Sequence, residues 1–97
     1  MAIRYTWSPR KERENIRKHG LSFKDAVRIF DAAVVETVDD RYDYGEARIQ
    51  AIGVFEGKEI YVVHVDEDEE TRRIISARKA ERHEREVYWQ TLARSQR

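Results

Sequence analysis

The residues with the greatest chemical capacity in this chain are arginines set on alternating strands. Along Arg48–Phe55, a period of two puts Arg48, Gln50, Ile52 and Val54 on one face, and Ile49, Ala51, Gly53 and Phe55 on the other. Along Arg72–Arg78 the same rule groups Arg72, Ile74, Ser76 and Arg78 against Arg73, Ile75 and Ala77. Taking the more polar set of each run places Arg48 and Arg78 on one face of a sheet. Two guanidiniums on rigid strands make a fork-shaped anion site that suits phosphate. The alternative is that each arginine sits at a strand end and pairs with Glu46, Glu36 or a loop acid. Arg73 falls on the opposite face by alternation, unless a bulge at the strand start re-aims it.

Three histidines offer proton transfer, in different settings. His19 stands between Lys18 and Gly20 at the end of a helical segment, where the helix dipole favours a protonated ring. It reads equally as a plain helix cap. His64 ends a strand rich in Val and Tyr and reads as a core or edge residue. His83 sits among Arg82, Glu84 and Arg85 and reads as solvated. No Ser–His–Asp order and no glycine-rich phosphate loop is present. The absence of cysteine excludes disulfides and thiolate metal sites. The acidic run Asp66–Glu70 lacks the glycine and ligand spacing of a calcium loop and reads as a solvated turn. The expectation is a basic, aromatic-bearing surface with no metal and no cofactor. Trp7, Tyr88 and Trp89 are able to stack on bases, but such rings more often serve as core or interface anchors.

The elements that would position these groups follow from punctuation and period. Ile3–Trp7 alternates like a half-buried strand. Ser8-Pro9 reads as an N-cap and first helical position, opening a helix from Pro9 to about Lys18 that Gly20 ends. Ser22 and Asp25 open a second helix, with Phe23, Ala26, Val27 and Phe30 as one apolar stripe. Ala33–Val38 is a strand, followed by a polar loop from Asp39 to Gly45. Arg48–Phe55 and Lys58–Val65 form a hairpin across Glu56-Gly57. Arg72–Arg78 is the last strand, and Lys79–Arg94 a third helix with a thin apolar face, read as loosely packed or lying on a partner. The order βααββββα, with two helices on one face of a largely antiparallel sheet, is α+β.

Ninety-seven residues suit one domain, residues 1–97. Charged residues make up 39% of the chain, above the usual ~25%, yet β-branched and aromatic runs recur, which argues against disorder. No apolar run approaches a membrane span and no signal segment opens the chain, so a soluble, cytoplasmic protein is expected. Net charge is zero but unevenly spread: residues 1–30 carry +5, residues 31–70 carry −10 and residues 71–97 carry +5. If the two ends meet, they create a basic surface that net charge conceals; otherwise the signs pair off as surface salt bridges.

Taken in order, Trp7, Asn15, Lys18-His19-Gly20, Phe23, Ala26, Phe30-Asp31, Glu46-x-Arg48, Gly53 and Arg73-Ile74-Ile75-Ser76-Ala77-Arg78-x-Ala80, with Glu84 and Tyr88, resemble the BrnT toxin family. The resemblance runs from Trp7 to Tyr88, and its most specific parts are the Lys-His-Gly step and the Arg-Ile-Ile-Ser-Ala-Arg stretch. It implies a RelE-like fold and an endoribonuclease that stops translation by metal-independent attack of the RNA 2′-hydroxyl. It also implies a cognate BrnA-type antitoxin, with operator DNA bound only through the toxin–antitoxin complex. The residues carried over are Arg48, Arg78, His19 and Arg73 as catalytic, and Lys18 and Tyr88 as RNA-binding. His19, or Glu46 if it points inward, would carry the proton, and the ribosome would align the message. A different class also fits the residues: a non-catalytic module whose basic face holds nucleic acid or an acidic partner.

Overall fold

A computed structural model describes residues 2–39 and 45–95. The polar loop expected after the first long strand has residues 40–44 outside the described residues. The elements are β1 (Arg4–Thr6), α1 (Pro9–His19), α2 (Phe23–Ala26) continued by a 3₁₀ turn (Val27–Asp31), β2 (Val35–Asp39), β3 (Arg48–Phe55), β4 (Lys58–Asp68), β5 (Thr71–Lys79) and α3 (Arg82–Ser95). The five strands form one mixed sheet in the order β1-β5-β4-β3-β2. Only β1 runs parallel to its neighbour β5.

Local chemistry sets the helix ends. The Ser8 side chain accepts the Lys11 N–H, Pro9 supplies the first helical position, and Gly20 closes α1 at φ 66°. Ser22 caps α2 through the Asp25 N–H. The continuation into a 3₁₀ turn tightens the repeat to three residues, so Phe23, Ala26 and Ile29 form the buried ridge. Val27 and Phe30, expected on that stripe, are only partly buried against it.

That ridge packs on Ala51, Ile60, Val62, Ile74 and Ala77, which defines the helix face of the sheet. Gly53 belongs to the same packing. A Cβ there would stand 2.7 Å from the Ile29 Cβ, so only glycine lets the turn approach. Against the other face lies α3, where Ile52, Tyr61, Ala80 and Tyr88 bury together with Val35, Val54, Val63 and Leu92 around them.

Side-chain amide chemistry completes the sheet edge. Strand β1 pairs only with Thr71–Arg73, so the rest of β5 would expose its backbone. Asn15, on α1 and 5% exposed, occupies that gap. Its Oδ1 accepts the Ala77 N–H at 3.0 Å, and its Nδ2 donates to the Ala77 carbonyl at 2.8 Å and the Leu21 carbonyl at 2.9 Å. One side chain thus replaces a missing strand and satisfies groups that are costly to bury unpaired.

Two expectations about the last third of the chain change. The acidic run is not wholly a solvated turn: β4 continues to Asp68, Asp66 approaches His64 and Arg72, and Glu67 holds Arg73. Helix α3 starts at Arg82 rather than Lys79, because Ala80 still donates its N–H to the Glu59 carbonyl as an extension of the strand pairing. No helix among the described residues is long and apolar enough to cross a membrane.

Candidate active site

Cross-strand register turns the α3 side of the sheet into a grid. Val35, Ile52, Tyr61 and Arg78 form one row, and Thr37, Gln50, Val63 and Ser76 form the next. The third begins with Asp39 paired to Arg48, and ends with Val65 paired to Arg73. Ile49 pairs with His64, which sets Arg48 level with Val65. This face carries all three arginines of interest.

Strict alternation predicts Arg78, Ser76, Ile74 and Arg72 together, and here the structure differs. Val63 faces Ser76 while the next residue, His64, faces Ile74, so Ile75 is an extra residue in β5. This bulge flips every side chain before it. Ile74 enters the helix-face core and Arg72 lies 4.6 Å over the Phe30 ring, whereas Arg73 joins Ser76 and Arg78. The bulge that re-aims Arg73 is in mid-strand; a second register shift, between Asp66 and Asp68, faces the strand start.

The consequence is a different pairing of guanidiniums from the one alternation suggests. Arg48 and Arg73 share a row, about 9.5 Å apart at two strand spacings. Arg78 stands two rows further along, about 13 Å by strand rise. Arg73 donates to Glu46 at 2.7 Å and to Glu67 at 2.6 Å, and these two hydrogen bonds hold it firmly protonated. Glu46, just before β3, therefore turns its carboxylate toward this row.

Arg78 is enclosed. Its two terminal nitrogens each donate to a Glu84 oxygen at 2.9 Å, and its guanidinium lies 4.0 Å over the Tyr61 ring. Glu84 also accepts the Glu81 N–H at 2.7 Å, which makes it the acidic half of a cap on α3. Burial pushes the Glu84 carboxyl up, but the Arg78 hydrogen bonds, the Glu81 backbone N–H and the Arg78 charge outweigh it and hold it below the usual range. Arg78 thus also clasps α3 onto β5.

Lys18 and His19 stand elsewhere in the sequence-based grouping, and the fold brings them to the open edge of β5. Together with Lys11, Glu14, Asn15, Ile75 and Ser76 they line a cleft of about 210 Å³. Ser76 is common to this cleft and to the middle row of the grid, between Arg73 and Arg78. The two most specific sequence stretches, around His19 and around Ser76, therefore meet. The structure does not join His19 with Arg48, which lies two strands away.

Tyr88 requires a correction. It was expected to meet RNA, but it is 3% exposed, donates its hydroxyl to the Ala33 carbonyl at 2.9 Å and packs with Ile52 and Tyr61. A ring so enclosed offers no face to a base; desolvation also raises its hydroxyl pKa. Trp7 is partly buried against the helix-face core, edge-on to Phe23 at 5.9 Å. Trp89 alone of these rings remains half exposed, with its Nε1 donating to Glu59 at 2.7 Å.

His64 is fully buried on the helix face, its Nε2 3.2 Å from Glu36. Its Nδ1 is 2.9 Å from Asp66 but out of line for a hydrogen bond. His83, read as solvated, lines a second cavity between the sheet and α3, with Thr37, Gln50, Tyr61, Arg78 and Glu84. Sequence reasoning missed Thr37, and it treated Gln50 only as a polar strand position. Neither carries a motif signal; only their places in the grid single them out.

With this geometry in view, the family can be established. The model of the BrnT ribonuclease toxin of type II toxin–antitoxin systems matches residues 7–84. The chain belongs to the BrnT family. The match ends at Glu84, so it includes Lys18, His19, Arg48, Arg73 and Arg78 and leaves Tyr88 outside. Among solved structures, the chain is similar to the Brucella abortus ribonuclease toxin BrnT, at 30% identity and a TM-score of 0.63, over 84% of this chain and 100% of that one. No curated protein matches. The α+β architecture of a five-stranded mixed sheet with its helices is therefore that of a BrnT toxin, and a ribonuclease toxin implies an RNA substrate and an antitoxin partner.

Proposed function

We propose that this BrnT-family toxin cuts RNA without a metal, on the α3 side of its sheet and at the adjoining edge of β5. The observation that supports this most is the Ile75 bulge. It brings Arg73 onto the face that already carries Arg48, Ser76 and Arg78, beside the cleft of Lys18 and His19. The reaction is transesterification. The ribose 2′-oxygen attacks the adjacent phosphorus, the bond to the 5′-oxygen breaks, and a 2′,3′-cyclic phosphate and a 5′-hydroxyl result. One proton leaves the 2′-hydroxyl and one reaches the 5′-oxygen.

Arg48 and Arg73 clamp the non-bridging oxygens, with Arg78 and Lys18 supporting. Each guanidinium favours the extra negative charge of the transition state. Glu46, already held by Arg73, takes the 2′-proton, and His19 at the β5 edge returns a proton to the leaving oxygen. Carboxylate partners keep Arg73 and Arg78 oriented before RNA arrives, and a phosphate replaces Glu67 on Arg73. The fold is of the RelE-like kind. In the cell, a BrnA-type antitoxin covers this face, the ribosome presents the message, and operator DNA is bound only through the antitoxin complex. The setting is the cytoplasm.

The test is expression of the chain alone in a bacterium, with growth and amino-acid incorporation followed. Arrest of both supports the reading, and co-expression of the antitoxin restores growth. Normal growth at confirmed soluble expression refutes it. A non-catalytic binding module, for which the arginine–carboxylate pairs are purely structural, would arrest nothing through RNA cleavage and would leave transcripts intact.

A further inference from the structure

The face holds a second concavity, of whose lining the chemistry above uses only Arg78. Thr37, Gln50, Ile52, Tyr61, Arg78, Glu81, His83, Glu84 and Val87 enclose about 420 Å³ between the sheet and the first turns of α3. Its walls are of two kinds. Ile52 and Val87 are apolar and Tyr61 lies beneath the Arg78 guanidinium, while Thr37 and Gln50 bring a hydroxyl and an amide. Gln50 and Thr37 are direct cross-strand neighbours, so their polar groups stand side by side on one row.

We infer that this cavity is a nucleobase subsite, in which Gln50 and Thr37 set the base preference of cleavage. The inference rests on the ribonuclease reading and adds to it the group that is recognised. Charge decides against a phosphate here. Within the cavity the Arg78 charge is offset by Glu84, and Glu81 brings a second carboxylate 3.6 Å from the same guanidinium. A neutral, flat ring with amino donors suits such a place, since carboxylates and side-chain amides accept from exocyclic amines and amides also donate to ring acceptors. Apolar walls supply van der Waals contact that any base accepts, and the amide and hydroxyl supply discrimination.

Position agrees with chemistry. Gln50 and Ser76 lie on the same row with only Val63 between them, about 9.5 Å apart at two strand spacings. A ribose-phosphate at the β5 edge beside Ser76 can send its base along that row toward Gln50. The row has no charged member, and the arginine rows border it on both sides. Backbone charge is thus read at the borders and base identity in the middle.

Two readouts test this. The isotope-labelled protein is titrated with each of the four 3′-nucleoside monophosphates while the Gln50 side-chain amide is followed by NMR. A saturable shift that differs among the bases, and that Val87→Trp abolishes by filling the cavity from its half-exposed position, is expected. In parallel, cleavage of short RNAs that differ at one base is compared for the wild type, Gln50→Ala and Thr37→Val. The preferred-to-disfavoured ratio should fall about tenfold in Gln50→Ala, with cleavage of the poorest substrate retained. If no monophosphate moves the Gln50 amide, or if both variants keep the wild-type ratio, the subsite is refuted. If the amide shifts saturably but no RNA is cut, the subsite stands and the ribonuclease reading falls.

Discussion

The two faces of this sheet are built from the same strands and obey different rules. The helix face buries Phe23, Ala26, Ile29, Ala51, Val62, Ile74 and Ala77 completely, around a glycine chosen for close approach. The α3 face mixes apolar, neutral polar and charged side chains, and carboxylates hold Arg73 and Arg78 there, Arg78 also lying on the Tyr61 ring. The difference teaches that one backbone has divided a fully buried apolar face from a polar and charged one by side-chain alternation, and that a single extra residue, Ile75, sets where the division falls in β5. Charge follows the same logic. Segments from both basic ends pack at the β5 edge, but on the sheet itself Arg72 and Arg73 are balanced by Asp66, Glu46 and Glu67 from the middle of the chain, and Arg78 by Glu81 and Glu84 of its own segment.

The largest effect should come from the link between α1 and β5. Asn15→Leu leaves the Ala77 N–H and carbonyl and the Leu21 carbonyl without their partner, at a cost on the order of 3 kcal/mol in a chain this small. Urea unfolding should show it as a lower midpoint at an unchanged slope, and an unchanged midpoint would remove Asn15 from the account of the edge.

A smaller effect separates clasp from clamp. Arg78→Gln leaves the half-buried Glu84 with only its cap bond, costing roughly 1–3 kcal/mol at neutral pH. The sign with pH follows from the lowered Glu84 pKa: its contribution is present above the ordinary carboxylate value of 4.5 and is lost as pH falls below it toward the folded value. The stability gap between wild type and variant should therefore narrow when unfolding is repeated in acid, and a gap that widens there contradicts the clasp.

The smallest effect belongs to the exposed cleft. Lys18→Ala should leave stability alone and reduce the salt dependence of RNA binding by about the contribution of one phosphate contact. Equal slopes for the two proteins would place the RNA path elsewhere.

Much of this was legible in the sequence, for reasons that differ by region. Ser8-Pro9, Gly20 and Ser22 are local signals, and the helix ends follow them. The grouping of Arg48, Gln50, Ile52 and Val54 on one face came from unbroken alternation in β3. In β5 alternation misplaced Arg73 and Ile74, because a bulge is set by partner strands that a single run does not reveal. The stripe in Phe23–Phe30 shifted because a 3₁₀ turn changes the repeat. Tyr88 was misassigned because an aromatic on a charged helix gives the same signal whether it meets a base or fills the gap above a sheet. The Arg78–Glu84 pair spans a strand end and a capped helix, so its geometry depends on where α3 starts, which composition does not fix.

The central claim is that the α3 face, and not the helix face, cuts RNA. The most direct measurement is the rate at which purified Arg48→Ala and Arg73→Ala, each shown to be folded, cleave RNA in the presence of EDTA. The wild type should cut under these conditions and leave 2′,3′-cyclic ends. Each variant should be slower by a factor of about 100 or more, the loss expected for removing one donor to a developing charge. Wild-type rates in both folded variants, or a wild type silenced by EDTA, would contradict the account.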